Sequence, residues 1–268
     1  MMKTIDKIKE LYDYREMIFS LVKKDLRGRY KGSVLGFLWN FINPLLQLIV
    51  YTMVFSVIMR AGIEKYYIFL FVALVPWIFF SSALTTGATC IINSQDLVKK
   101  IYFPREVLPI ASTTSSFVNM LLSFVVVFVV LIVTGFGINP VACLFLPVIM
   151  IIEYTVVLGM CMLFSALTVY LRDLQSILSI VAMAWQFLTP VLYGQDWVEA
   201  ALANHPYMLK IWNCNPATPI INAFREVLYY KQIPSMNNMG TAFLLGIVVC
   251  ILGWTVFEKL QRGFAEEL

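Results

Sequence analysis

Charge is what this chain of 268 residues has little of. Only 13% of its residues are Asp, Glu, Lys or Arg, while 60% are hydrophobic. Soluble domains carry roughly a quarter charged residues. A soluble fold of this length could not hide so much apolar surface, so the bilayer is the expected solvent. Histidine is nearly absent: His205 stands alone, which leaves no histidine-based metal or acid–base centre. The five cysteines, Cys90, Cys143, Cys161, Cys214 and Cys250, form no CxxC pair, and four lie in apolar runs. They read as small buried hydrophobes rather than disulfides or metal ligands. No GxxxxGKS/T phosphate loop, no HExxH and no GxSxG occurs, so no catalytic residue, metal or cofactor is expected on this chain. The opening MMKTIDKIKELYDYREM has no apolar h-region and does not read as a cleaved signal peptide. A net charge of +4 is too modest to imply a nucleic-acid partner.

What is present is a series of long uncharged runs. A spanning helix needs about 20 apolar residues. The first run covers Val34–Met59 and contains Asn43–Pro44. The second lies within Tyr66–Ile92. One run from Val107 to Ile152 holds the third and fourth spans, divided by the turn-rich string Thr134–Pro140. The fourth continues through Glu153 to about Leu171. Arg172–Asp173 makes a charged turn, the fifth span runs from about Leu174 to Tyr193, and the sixth from about Met239 to Phe257. Six spans place both termini on one side. Fifteen of the 20 basic residues then fall on that side. This bias predicts cytoplasmic termini. The six tryptophans mostly fall near span ends, as an interfacial belt would. No internal repeat is visible, unlike many secondary transporters.

Four segments fall outside a plain spanning pattern. Residues 1–33 read as an amphipathic helix on the cytoplasmic leaflet, with Ile5, Ile8, Tyr12, Ile18, Val22 and Leu26 on its apolar face. It serves either as a topology anchor or as a docking helix for a cytoplasmic partner. The break Asn93–Glu106 is short, basic and cytoplasmic. Its Leu97, Val98, Ile101, Tyr102 and Phe103 are expected to be exposed, and a protein groove suits them better than the headgroups. Pro104 favours an extended residue before it and the start of the next span after it. Glu153 is the only acid inside a predicted span; it is either a functional intramembrane carboxylate or a snorkelling or hydrogen-bonded structural acid. Residues 194–238 are too apolar for a solvated loop. They predict two short helices dipping into or lying on the outer leaflet, one being Ala217–Tyr230 capped by Thr218 or Asn215.

The segments LVKKDLRGRYKGSVLGFLWNFINPLL, LVPWIFFSSALTTGATCIINSQDLVKKIYFPREVLPIAS, YLRDLQSIL, LTPVLY and NPATPIINAFREVLY together resemble the ABC-2 type permeases of bacterial polysaccharide exporters. These include O-antigen, capsule and teichoic acid transporters. The resemblance covers nearly the whole chain, in order. It implies an all-α integral membrane protein of the bacterial cytoplasmic membrane: an N-terminal domain over 1–33 and a six-span domain over 34–268. It implies a homodimer working with a separate ABC ATPase, which binds ATP and Mg, and a lipid-linked polysaccharide cargo. Residues 93–105 would be the coupling helix in an ATPase groove, through Asp96, Leu97, Val98, Lys99, Lys100, Ile101, Tyr102, Phe103 and Arg105. Lys24, Arg27, Arg29, Tyr30 and Lys31 would belong to the N-terminal interface helix, meeting the partner, membrane lipid phosphates or both. The helices of 194–238 would form an extracellular gate, and Tyr51, Phe55, Phe80, Trp185 and Tyr193 would face the sugar path. Two alternatives stay open at the level of sequence: the same architecture exporting a small lipid, drug or peptide, and an ATP-independent channel or secondary transporter.

Overall fold

The computed structural model describes residues 4–30, 35–58 and 62–268. All regular structure among them is helical. Helices α1 (Thr4–Asp13) and α2 (Arg15–Tyr30) are followed by α3 (Trp39–Thr52), which continues as a π-helical stretch, Met53–Ile58. Then come α4 (Tyr66–Ala88), α5 (Gln95–Lys100), α6 (Val107–Val133), α7 (Pro140–Cys143), α8 (Leu146–Tyr170) and α9 (Leu174–Leu188). The chain ends with α10 (Gln195–Leu202), α11 (Pro206–Asn213), α12 (Ala217–Leu228), α13 (Met236–Leu260) and α14 (Phe264–Glu267).

Among the described residues, five helical stretches are long and apolar enough to cross a membrane: Trp39–Ile58, Tyr66–Ala88, Val107–Val133, Pro140–Tyr170 and Met236–Gly263. Helix α9 has 15 residues, a rise of about 22 Å. That is shorter than a hydrocarbon core of about 30 Å.

Helix α4 forms the centre. It is apolar all round, the pattern of a helix buried on every side. It packs against α3, α6, α8, α9 and α12. Helices α8 and α13 cross at glycines. A Cβ on Gly159 would lie 2.6 Å from the Cys250 Cα, and one on Gly253 would collide with the Gly159 carbonyl. The backbones touch there because neither residue has a side chain, as small-residue packing in membranes requires. The predicted turn between α6 and α7 is present: Gly135 and Gly137 take positive φ, and Asn139 caps α7 by accepting from the Val141 and Ala142 amides.

A second apolar core gathers at one end of the bundle. Val98, Phe103, Val107, Met162, Phe257 and Phe264 form it, and Leu11, Tyr14, Met17 and Leu21 pack on its edge. It brings the N-terminal helices and the C-terminal helices to the same end, called here the terminal end.

Three expectations need correction. The single N-terminal helix is two, parted at Tyr14. Its apolar face is the expected one only in part: Val22 is buried and Ile18 packs on the terminal-end core as expected, but Tyr12 is exposed, and Leu11, Tyr14, Met17 and Leu21 also face the protein. The side chains of Ile5, Ile8 and Tyr30, and all of Val34, Lys31, Met59 and Arg60, lie outside the described residues. Residues 194–238 form three helices rather than two, besides the start of α13. The last of the three, α12, is buried within the bundle against α4, α8 and α13 rather than lying on its surface. Asn215 does shape its start, accepting from the Ala217 amide at 3.0 Å.

Candidate functional site

Helix α5 and the strand-like residues after it project from the terminal end. Asp96 in the first turn and Lys99 and Lys100 in the last suit the helix dipole. Lys100 also reaches Asp96 at 3.8 Å. Both side chains are exposed, so this pair stabilises little. The apolar residues divide into two sets, and here the expectation fails in part. Val98 and Phe103 are only 7% and 5% exposed, inside the terminal-end core. Leu97 is half-buried at its edge. Ile101 and Tyr102, the latter 89% exposed, point away from the chain. The segment is therefore a rigid pedestal: two buried side chains hold it, and Ile101, Tyr102, Asp96, Lys99 and Lys100 form its free surface.

Behind the pedestal lies a polar hub that sequence reading missed. The Lys7 Nζ lies 3.1 Å from Glu106 Oε1 and 3.2 Å from Glu258 Oε1. Gln261 Nε2 donates to the same Glu106 oxygen at 2.9 Å. Arg105 donates to the Gln261 carbonyl and lies over the Phe264 ring. Burial on its own would lower the Lys7 pKa, but the two carboxylates outweigh it and raise it. The partners are 99 and 155 residues apart in sequence, so no local pattern could reveal them.

The α2 residues also separate. Lys24 and Arg27 are exposed. Arg29, exposed as a residue too, is engaged: it pairs with Asp25 at 3.1 Å and donates to Ser116 Oγ at 3.2 Å, while Ser115 donates to Asp25. Arg29 borders two cavities. One of about 540 Å³ lies between α2, α4 and α6, with Lys24, Thr86, Thr89, Asn93 and Ser112 in its wall. A deeper one of about 150 Å³ adds Asn40, Asn43, Ser82, Asn119 and Ser123. Ser82, Thr86 and Thr89 share one face of α4 or its extension. Ser112, Ser116, Asn119 and Ser123 share one face of α6. A helical period of polar residues inside apolar spans was the available signal, since such residues turn toward cavities rather than lipid. The seam is rich in hydroxyls and amides, and its cations stand at one mouth.

At the opposite end, Arg225 is 2% exposed. Its guanidinium donates to the carbonyls of Tyr193 (2.9 Å), Val191 (2.6 Å), Phe69 (3.5 Å) and Pro190. It also lies 3.7 Å from the Phe69 ring centre. Burial pushes its pKa down to about 9, so it stays cationic at neutral pH. This single side chain ties the end of α9 to α4 and α12. Asn215 adds a second tie, accepting from Trp185 Nε1 at 3.0 Å and donating to Thr189 Oγ1 at 2.9 Å.

The five aromatic residues expected along a sugar path lie on α3, its π-helical stretch, α4, α9 and the residues just after α9. Phe80 is buried between Trp77 and Trp185, at ring distances of 5.3 and 5.2 Å. Tyr51 bonds Gln186, Phe55 stacks on Tyr66, and Tyr193 lies beside Trp212. Within this chain Phe80 is a packing residue, while Tyr51, Phe55, Trp185 and Tyr193 are half-buried. Glu153 is 1% exposed, which excludes snorkelling, and its Oε2 has no partner among the described residues.

These features define a multi-pass membrane protein with an exposed pedestal at its terminal end. The chain belongs to the ABC-2 type transporter family, whose pattern matches residues 16–229. It is 34% identical, over 97% of its length and 98% of the relative's, to the O-antigen export system permease protein RfbA of Myxococcus xanthus. It is also 30% identical to a protein of the same name from Klebsiella pneumoniae, over 94% of this chain and 95% of that one.

Proposed function

We propose that this chain is the transmembrane permease subunit of an ATP-driven exporter that moves lipid-linked cell-surface polysaccharide across the bacterial cytoplasmic membrane. The observation that carries this reading is the nearly end-to-end match to O-antigen export permeases. The geometry agrees with it. The pedestal at Gln95–Phe103 offers an exposed, rigidly held surface for a separate ATPase, which binds ATP and Mg. The seam of hydroxyls and amides between α4 and α6 suits a sugar chain, whose hydroxyls need partners but whose sequence is tolerated.

The same reading gives six crossings. Five long helices alone would leave the termini on opposite sides, yet both ends of the described chain meet at Lys7–Glu258. Helix α9, too short alone, would supply the missing passage together with the residues after it to Tyr193, starting from the turn after Tyr170 at the terminal end. The bias of basic residues puts the terminal end in the cytoplasm. Two copies would pair around a central path, and the helices of 194–238 would guard its outer end.

The test is co-purification with the partner ATPase, followed by ATP hydrolysis in nanodiscs with and without lipid-linked glycan. Stable association and glycan-stimulated hydrolysis are expected. Stimulation by a small drug or peptide but not by glycan would assign the cargo elsewhere. Transport without any ATPase would overturn the reading.

A further inference from the structure

At the end of the bundle opposite the termini, α10, α12 and the start of α13 enclose a cavity of about 420 Å³. That volume falls in the range of about 300–1,000 Å³ typical of small-molecule sites. Its walls are built from amides and carboxylates in matched pairs. Helix α10 contributes Gln195 and Glu199, and α12 contributes Asn222 and Glu226. Each pair has i,i+4 spacing, which puts both members on one helix face. The groups are held in place. Asn222 Nδ2 donates to Gln195 Oε1, and Gln195 Nε2 donates to Glu199 Oε1 at 2.8 Å. Glu226 is fixed by the Ser235 amide at 2.8 Å and by Asn238 Nδ2 at 2.9 Å. Tyr230, half-exposed, stands in the wall.

This donor set selects a ligand class. Fixed carboxylates and amides give paired acceptors and donors, the arrangement that vicinal hydroxyls satisfy. A tyrosine face suits the C–H side of a sugar ring. An anion is disfavoured, because Arg225 spends its guanidinium on backbone carbonyls while Asp196, Glu199 and Glu226 line the cavity. No three metal-ligating side chains converge among the described residues. A lipid tail would find too few apolar walls.

We propose that this cavity is a saccharide-binding site, taking one or two neutral sugar residues of the polymer as it leaves the membrane domain. The inference rests on the exporter reading above. It adds an exit subsite within a single subunit, apart from any path between two copies. The pre-oriented chain Asn222–Gln195–Glu199 supplies its specificity, and Asp196 at its open side adds a further acceptor.

The experiment uses the complete permease–ATPase complex in nanodiscs. Free D-mannose, D-galactose, L-rhamnose and N-acetyl-D-glucosamine are titrated, with saturation-transfer NMR on the sugar protons as readout. Saturable binding of at least one sugar is expected. Asn222→Leu is expected to weaken it by about tenfold, the loss of one or two hydrogen bonds. Asp196→Ala, at an exposed position that leaves the bundle intact, is expected to weaken the same sugar by a smaller factor. Binding of none of these sugars, or equal binding by the wild type and both variants, would overturn the site. Restoration of surface polymer by the wild-type gene in a deletion strain is scored separately. A working exporter whose cavity binds no sugar sinks only this inference; failure of restoration sinks the exporter reading itself.

Discussion

The Lys7 ammonium and the Glu106 carboxylate meet at 3.1 Å in a nearly buried site. Through them the first helix is tied to the residue that opens α6, directly behind the exposed pedestal of Ile101 and Tyr102. Glu258 and Gln261 extend the tie to the C-terminal helix.

Removing one partner of the hub should cost more than removing both. Glu106→Ala leaves Lys7 with only the half-exposed Glu258, and a loss of about 2–3 kcal/mol is expected. The pair Lys7→Met with Glu106→Gln should be milder. The pH dependence follows from the raised Lys7 pKa. The stabilisation is fully present below the ordinary lysine value of 10.5 and fades as pH rises through the raised one. Thermal melts of the purified protein across the alkaline range check both points, and Lys7→Met should flatten that alkaline fall.

The pedestal predicts a division between neighbours in sequence. Tyr102→Ala should leave the melting temperature nearly unchanged and reduce ATPase-coupled transport. Phe103→Ala should destabilise the protein itself by about 3–5 kcal/mol, and Val98→Ala by about 1–3 kcal/mol, through cavities in the terminal-end core. Equal stability losses at Tyr102 and Phe103 would contradict the assignment.

The crossing of α8 and α13 predicts sensitivity to one carbon atom. Gly159→Ala places a Cβ against backbone that cannot rotate away, and a loss of about 2 kcal/mol or more is expected. Gly240→Ala, with open space around it in the same α13, should be neutral or stabilise by up to about 1 kcal/mol. Melting temperatures of the two variants in one detergent give the comparison.

Arg225 predicts that charge alone is insufficient. Arg225→Met leaves the carbonyls of Val191 and Tyr193 without donors, at an expected cost of about 3 kcal/mol or more. Arg225→Lys should recover only part, because one ammonium cannot span carbonyls that a planar guanidinium reaches together. Limited proteolysis between α9 and α10 reports the loosened joint directly.

Much of the architecture was legible because lipid imposes a simple rule. Long uncharged runs marked the five long helices, Gly135, Gly137 and Pro140 marked a turn, and Arg172–Asp173 marked another. Composition alone could not say which face of a helix is buried. Val98, Ile101, Tyr102 and Phe103 look alike as sequence, and only the fold sends two inward and two outward. Helix α12 has an amphipathic pattern that fits a membrane surface as well as a bundle interior; its contact with α4 decides the matter. The hub at Glu106 and the nest around Arg225 join residues far apart in the chain. The polar seam did carry a signal, in the spacing of Ser112, Ser116, Asn119 and Ser123, which was easily lost within an otherwise apolar run.

In the native bacterium, deletion of this gene should abolish the surface polysaccharide while its lipid-linked form accumulates on the cytoplasmic side. A plasmid copy should restore the surface polymer, and a Tyr102→Asp copy should restore it poorly despite normal folding. Unchanged surface polysaccharide in the deletion strain, with no lipid-linked polymer accumulating inside, would contradict the account.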